Sequence, residues 1–234
     1  MLLLPQKARR PHMILVKTTA APILQQIGEQ VLDLVADNVT DLSMRHPPVS
    51  HPLFSAYRLS LLTEVRAYLA RPAPSQIELV TATDDGQLVG FALCGLSPGS
   101  RPECGIYYAA VSKPRRCEGI LSLMVHEIIS RYAVVSLSCD VRLVSVYKGY
   151  GFEPISLRKQ QIVMAIGQPR EETPILDPDE LARQPPIIRE QMEASARSTE
   201  QAVKAANKAM EKTRKAEKAK AKNFLAQYMK AKRM

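Results

Sequence analysis

The stretch KPRRCEGILSLMVHEI, Lys113 to Ile128, holds the residue types from which a phosphate-binding turn is made. An apolar run leads into it, a 3.6-residue apolar period leaves it, and two arginines and a glycine stand between. A strand feeding a turn and then a helix presents backbone N–H groups that no helical carbonyl takes up, at the end where the helix dipole favours an anion. Arg115 and Arg116 add forked donors suited to phosphate, and Gly119 lets the backbone approach closely. Two residues work against that use. Glu118 places a carboxylate inside the turn, and Leu121 places bulk where a small residue would ease the approach of phosphates. The turn either binds a phosphate-bearing molecule or keeps only its shape.

Other reactive side chains form no metal or nucleophile pattern. Cys94, Cys104, Cys117 and Cys139 include no Cys-x-x-Cys pair and read as reduced thiols. His12, His46, His51 and His126 include no His-x-x-x-His pair, so no metal site is expected. His126 falls within a helix and reads as a surface residue.

The elements that must position these residues follow from periodicity. HMILVKTT reads as a first strand, and Ile23, Leu24, Ile27, Val31, Leu34 and Val35 recur at helical spacing. MRHPPVSHP breaks the chain before a second helical stripe of Phe54, Tyr57, Leu61, Leu62, Val65, Tyr68 and Leu69. IELVTATDDGQLVGFALCGL reads as two strands joined at Asp-Asp-Gly. CGIYYAAV is the strand entering the turn, and AVVSLSC follows the helix that leaves it. A short helix near VRLVSVYKGYGF and one or two strands in ISLRKQQIVMAIG complete the order β-α-α-β-β-β-α-β-α-β-β, an α/β (α+β) domain over residues 1–167.

The composition then changes. Residues 168–186 hold five prolines and five acidic residues and read as a linker. Residues 187–234 lack Gly and Pro, are rich in Ala, Lys, Glu and Gln, and predict one long helix. Of the 32 basic and 23 acidic residues, eleven basic and two acidic fall in 204–234, which leaves 21 of each elsewhere. The net charge of +9 therefore belongs to the tail. Lys204, Lys208, Lys212, Lys215, Lys218 and Lys222 share one helix face about 120° wide. Val203, Ala206, Met210, Ala221, Phe224 and Tyr228 gather on another, interrupted by Glu217. The N-terminal MLLLPQKARRP does not match a signal peptide, and no segment is long and apolar enough to span a bilayer. The expectation is a soluble, cytoplasmic protein.

AVSKPRRCEGILSLM resembles the Val-x-Pro-x-x-Arg-Gly-x-Gly-x-Gly/Ala turn of the GCN5-related N-acetyltransferases (GNAT), and SVYKGYGFEP, about thirty residues on, resembles that family's Leu-Tyr-x-x-x-Gly-Phe segment. The order of elements is similar too, so the resemblance covers Met13 to Gly167. It implies a GNAT-like acyl-CoA N-acyltransferase fold, a mixed central sheet flanked by helices, followed here by a long C-terminal helix. It implies transfer of acetyl from acetyl-CoA to a small-molecule or protein amine, without a metal. Arg116 falls on the turn's Arg/Gln position and Gly119 on its glycine, with Arg115 beside them. The N–H groups of Cys117, Glu118, Gly119, Ile120 and Leu121 would hold the pyrophosphate, and the backbone of Val111 the pantetheine arm. Tyr147 falls on the tyrosine that protonates the departing thiolate; its alternative role is packing of the last helix with Phe152. Gly105 stands where some members carry a glutamate base. Glu103, two residues earlier, is the candidate replacement, or else a solvated carboxylate at the strand end. His46 and His51 fall in the loop beside the acceptor entrance.

Two readings follow. One is an N-acetyltransferase. The other, from a different class, is a catalytically silent scaffold, in the manner of the acetyltransferase-like domains of bacteriophage internal virion proteins. Its basic helix would contact nucleic acid through the six lysines, or partner chains as a homo- or hetero-oligomer.

Overall fold

The computed structural model describes residues 13–232 except 75 and 174. The stretch MLLLPQKARRP and His12 lie outside the described residues. Seven strands form one mixed sheet in the order β1-β2-β3-β4-β5-β7-β6. They are β1 (Leu15–Ala20), β2 (Ile77–Asp84), β3 (Gln87–Leu96), β4 (Cys104–Val111), β5 (Val135–Cys139), β6 (Glu153–Arg158) and β7 (Gln161–Ile166). Helices α1 (Gln25–Asp37), α2 (Val39–Leu42), α3 (Phe54–Leu69), α4 (Ile120–Arg131) and α5 (Val144–Lys148) fall between them as the sequence predicts, with α2 a short addition. The β2–β3 turn is Asp85-Gly86, both at positive φ, as a two-residue hairpin turn requires.

Each face of the sheet carries its own core. On one, α1 and α3 bring Val31, Val35, Leu61, Val65 and Tyr68 onto Leu79, Phe91 and Leu93. On the other, α4 buries Ile120, Met124, Val125 and Ile128 against Val80, Ala92, Ile106 and Leu137. That i, i+4, i+5, i+8 spacing is why this segment is a helix, and full burial of each such side chain stabilises by roughly 1.5–3 kcal/mol.

Two departures from regular pairing shape β4. Leu93 pairs with Tyr108 but Cys94 pairs with Ile106, so Tyr107 is an extra residue in the ladder, a bulge. Both Tyr107 and Tyr108 therefore pack toward the α1–α3 face. The Tyr107 ring lies across Gly95, where any Cβ would collide with it. Beyond the bulge β4 parts from β5: among the described residues the parallel pairs are Cys104–Ile106 with Val135–Leu137. The carboxyl halves of the two strands diverge.

After β7 the chain runs back over the amino end of β4. Arg170 and Glu171 donate their N–H groups to Glu103, and the Leu176 N–H donates to the Tyr68 hydroxyl oxygen. The linker is not wholly irregular. Within it α6 (Pro178–Ala182) forms, and Pro185 opens α7 (Pro185–Ala196). Both dock on α3, burying Leu181, Ile187 and Ala194.

The tail is not one helix. It breaks at Arg197–Thr199, where the Thr199 hydroxyl accepts the Ala202 N–H at 3.1 Å and opens α8 (Glu200–Lys232). Helix α8 crosses to the β6–β7 hairpin. Ala221 is fully buried there, Phe224 and Leu225 pack beside it, and Phe224 stacks on Tyr228. The Tyr228 hydroxyl donates to Glu153, and Lys148 Nζ lies 5.1 Å from the centre of the Tyr228 ring.

Ala221→Asp places an unpaired carboxylate in that contact, which costs several kcal/mol if the helix stays docked. Undocking relieves the cost, so hydrogen exchange is expected to show α8 amides deprotected while those of β2 and β3 keep their protection.

Candidate active site

The parting of β4 and β5 opens a cleft at their carboxyl ends, beside the turn of Lys113 to Gly119. Cys117 and Gly119 hold φ of +67° and +79°, a left-handed geometry that turns the chain abruptly into α4 with Gly119 as its N-cap. Among the described residues, no hydrogen bond takes up the backbone N–H groups of Cys117 to Leu121. These donors stand at the start of a 12-residue helix, where the helix dipole favours an anion.

The side chains of the turn are committed elsewhere. Arg115 donates to Asp84 and to Glu118, both at 2.7 Å, and the Glu118 and Asp84 hydrogen bonds raise its pKa. Glu118 is thereby drawn sideways onto Arg115 and is 45% exposed, so its charge is partly neutralised at the rim of the turn. Arg116 donates to Asn38 Oδ1 at 2.6 Å, to Asp41 at 3.2 Å and to the Val111 carbonyl at 3.4 Å. The guanidinium groups thus brace the turn against β2 and α2. The donors that stay free at the turn, among the described residues, are backbone N–H groups. Leu121 packs against the α4 core instead of closing over the turn.

Tyr147 lies in α5, the short helix that follows β5. Its ring packs edge-on against Phe152, with centroids 5.9 Å apart, and against Tyr150 at 6.4 Å. Burial raises its pKa to about 12, with Cys139 at the end of β5 adding to the shift. The sequence left packing and acid chemistry as alternatives for Tyr147, and the ring contacts with Phe152 and Tyr150 are packing.

Glu103 is not brought to this site. It stands before the amino end of β4 and accepts the backbone N–H groups of Arg170, shared between its two oxygens, and Glu171. The turn follows the other end of the strand, about 25 Å away at ~3.3 Å per residue. His51 is buried, lies edge-on to Tyr57 at 5.2 Å, and its Nδ1 accepts the Leu53 N–H at 3.1 Å. His126 is on the surface of α4, as expected.

His46 does reach the cleft's rim. Its Nδ1 is 2.9 Å from the Thr40 carbonyl and its Nε2 3.5 Å from Asp140, just past β5. Arg142 joins Asp140 at 3.1 Å to Asp41 at 3.8 Å, and Asp41 meets Arg116. A chain of charges, Arg116–Asp41–Arg142–Asp140–His46, runs from the turn after β4 to the loop after β5. The Asp140 hydrogen bond raises the His46 pKa against the effect of burial, and the same contact lowers that of Asp140.

The residue that sequence reasoning missed is Glu64. Burial pushes its carboxyl pKa up, opposed by a hydrogen bond from the Tyr108 hydroxyl and by the charge of Arg158. Burial likewise holds the Tyr108 phenol well above its ordinary range. Tyr108 is the residue just past the bulge, where β4 has left β5. The signal was present in the sequence, since Glu64 lies three residues after Leu61 and four before Tyr68, inside the apolar stripe of α3.

Neither a family model nor a curated protein sequence matches the chain. Among solved structures it is similar to an N-acetyltransferase from Thermoplasma acidophilum in complex with coenzyme A (12% identity, TM-score 0.49, 65% of this chain and 98% of that one). It is also similar to the ribosomal-protein-S18-alanine N-acetyltransferase of Escherichia coli (14%, 0.44, 68% and 97%). A third likeness is to a GNAT-family acetyltransferase from Streptococcus pneumoniae (13%, 0.44, 65% and 98%). Among the described residues, no helix is long and apolar enough to cross a membrane and no group of side chains could hold a metal ion.

The His46–Asp140 pair ties stability to pH. With the His46 pKa raised above 6.5, its contribution is full below pH 6.5 and is lost as pH rises through the folded value. The lowered Asp140 pKa gives a contribution that is present above 3.8 and lost as pH falls through its folded value. Thermal unfolding of the native chain and His46→Asn, compared at pH 5.5 and pH 8.5, is expected to differ more at the lower pH. Equal differences at both values would show that the pair is not coupled.

Proposed function

We propose that the domain of residues 13–167 is an N-acetyltransferase of the GNAT type, taking acetyl-CoA as acyl donor and an amine as acceptor. The observation that carries this reading is the parting of β4 and β5 after three paired residues, beside a helix start whose N–H groups are free among the described residues. Parted strands offer the polar edge of β4, up to Val111, to an extended polar chain. The turn offers donors to a pyrophosphate. The residues fit such a substrate through backbone groups, while Arg115 and Arg116 serve as braces.

Acetyl-CoA supplies a thioester carbon open to attack by an amine. At that point the domain has two protons to manage. The Tyr147 phenol holds its proton at neutral pH, because burial keeps its pKa near 12, and can give it to the departing sulfur, which would otherwise leave as an unstabilised thiolate. Glu64 can accept the proton that the amine sheds, directly or through Tyr108. Its raised pKa makes it a better base than an exposed carboxylate and leaves it ionised above that value. Glu64 takes the role for which the sequence offered Glu103.

Titration calorimetry of the full chain with acetyl-CoA tests the binding half. Micromolar binding is expected, and Cys117→Glu, which adds a carboxylate at an exposed position already at positive φ, should abolish it. No binding at millimolar acetyl-CoA by the folded protein overturns the reading.

The chemical half is tested by Tyr147→Phe and Glu64→Gln once an acceptor amine is found. Each is expected to lower kcat on the order of 10²-fold or more with little change in acetyl-CoA affinity. Glu64→Gln should also remove the acidic limb of the pH–rate profile. An unchanged profile would take the base role from Glu64.

A further inference from the structure

We infer that the outer face of α8 is a docking surface for the phosphate backbone of a nucleic acid duplex. Docking on the β6–β7 hairpin fixes the rotation of this helix. Ala221, Phe224, Leu225 and Tyr228 turn toward the domain, and Lys208, Lys212, Lys215, Lys218 and Lys222 are all exposed on an arc about 120° wide that runs from the flank of that contact, at Lys218, to the side opposite it, at Lys212. Among the described residues none of these five lysines has a carboxylate at ion-pair distance, whereas Lys204 pairs with Glu200 at 2.5 Å and Arg214 with Glu211 at 2.9 Å. The five are therefore uncompensated cations held in a row. Lys208 to Lys222 spans about 21 Å along the helix axis at ~1.5 Å per residue. Over that length a duplex carries roughly twelve phosphates, at one per ~1.7 Å.

The same geometry decides among anionic partners. A bilayer surface calls for apolar side chains beside the lysines, and no large hydrophobic residue of α8 is among the exposed ones. A single strand calls for aromatic rings on which bases stack, and the two aromatics of α8 are stacked on each other at the domain, 6.2 Å apart. What remains is charge at regular spacing without base readout, the pattern of sequence-independent binding to a duplex backbone. This inference is independent of the acetyl-CoA reading.

Fluorescence anisotropy of a labelled duplex DNA with the full chain tests it. Five neutralised phosphates predict affinity falling roughly 500-fold between 50 and 200 mM salt, a log–log slope near −4.5. Replacing the five lysines by Gln should cost at least about 100-fold at 50 mM salt and flatten that slope. A charge-matched variant with Gln at Lys17, Arg66, Arg101, Arg170 and Arg183, all exposed and none on α8 or the β6–β7 hairpin, should lose far less. Several outcomes overturn the inference: no binding at about 100 μM protein in 50 mM salt, equal losses in the two variants, or tighter binding to single-stranded DNA or to anionic phosphatidylserine vesicles.

Discussion

One residue too many in β4 sets the geometry on which the candidate site depends. Tyr107 has no counterpart in β3, and accommodating it bends the strand and increases its twist. A strand bent in this way pairs with its parallel neighbour for only a short distance, and the cleft is what remains. The bulge also breaks the alternation of side chains, so that two successive tyrosines face the same layer. Tyr107 then needs room, which Gly95 supplies by having no side chain. Tyr108 needs a partner for its hydroxyl, which Glu64 supplies. A glycine in β3 and an acidic residue in an apolar helix stripe thus answer one local irregularity.

Charge compensation is the second constraint. The turn after β4 carries Arg115 and Arg116, yet Asp84, Glu118 and Asp41 surround them, so the local field is close to neutral. Exposed pairs of this kind stabilise by a few tenths of a kcal/mol to about 1 kcal/mol each; their larger effect is to hold the turn's backbone in one conformation. A fixed array of N–H groups binds an anion without first having to become ordered. The design gives up long-range attraction and gains preorganisation.

Much of this was legible in the sequence, and what was not has identifiable causes. Periodicity reports burial, so the strands, the two long helices and the change in character after Gly167 were all visible. Asp85-Gly86 marked its hairpin by turn chemistry alone. The turn at Cys117 to Gly119 and the place of Tyr147 were read from motif resemblance. Pairing between residues distant in sequence was not visible: nothing local distinguishes Arg115, held by Asp84 thirty-one residues earlier, from an arginine free to meet phosphate. Glu103 failed for a related reason. Alternation correctly placed it on a strand face, but only the return of the chain over β4 shows that it is occupied at the far end. The tail's break at Thr199 lacked Gly or Pro and rests on a hydroxyl cap, a weaker local signal.

The positions of the four thiols give the molecule a built-in optical handle. Cys94, Cys104 and Cys139 are buried within the sheet, while Cys117 is exposed in the turn at the mouth of the cleft. Burial slows the reaction of a thiol with an alkylating dye, so a maleimide fluorophore would mark this one position on the native chain without any engineered cysteine. The fluorophore's emission and its rate of attachment would then register whatever enters or leaves the turn, turning an ordinary surface cysteine into a reporter for ligand screening.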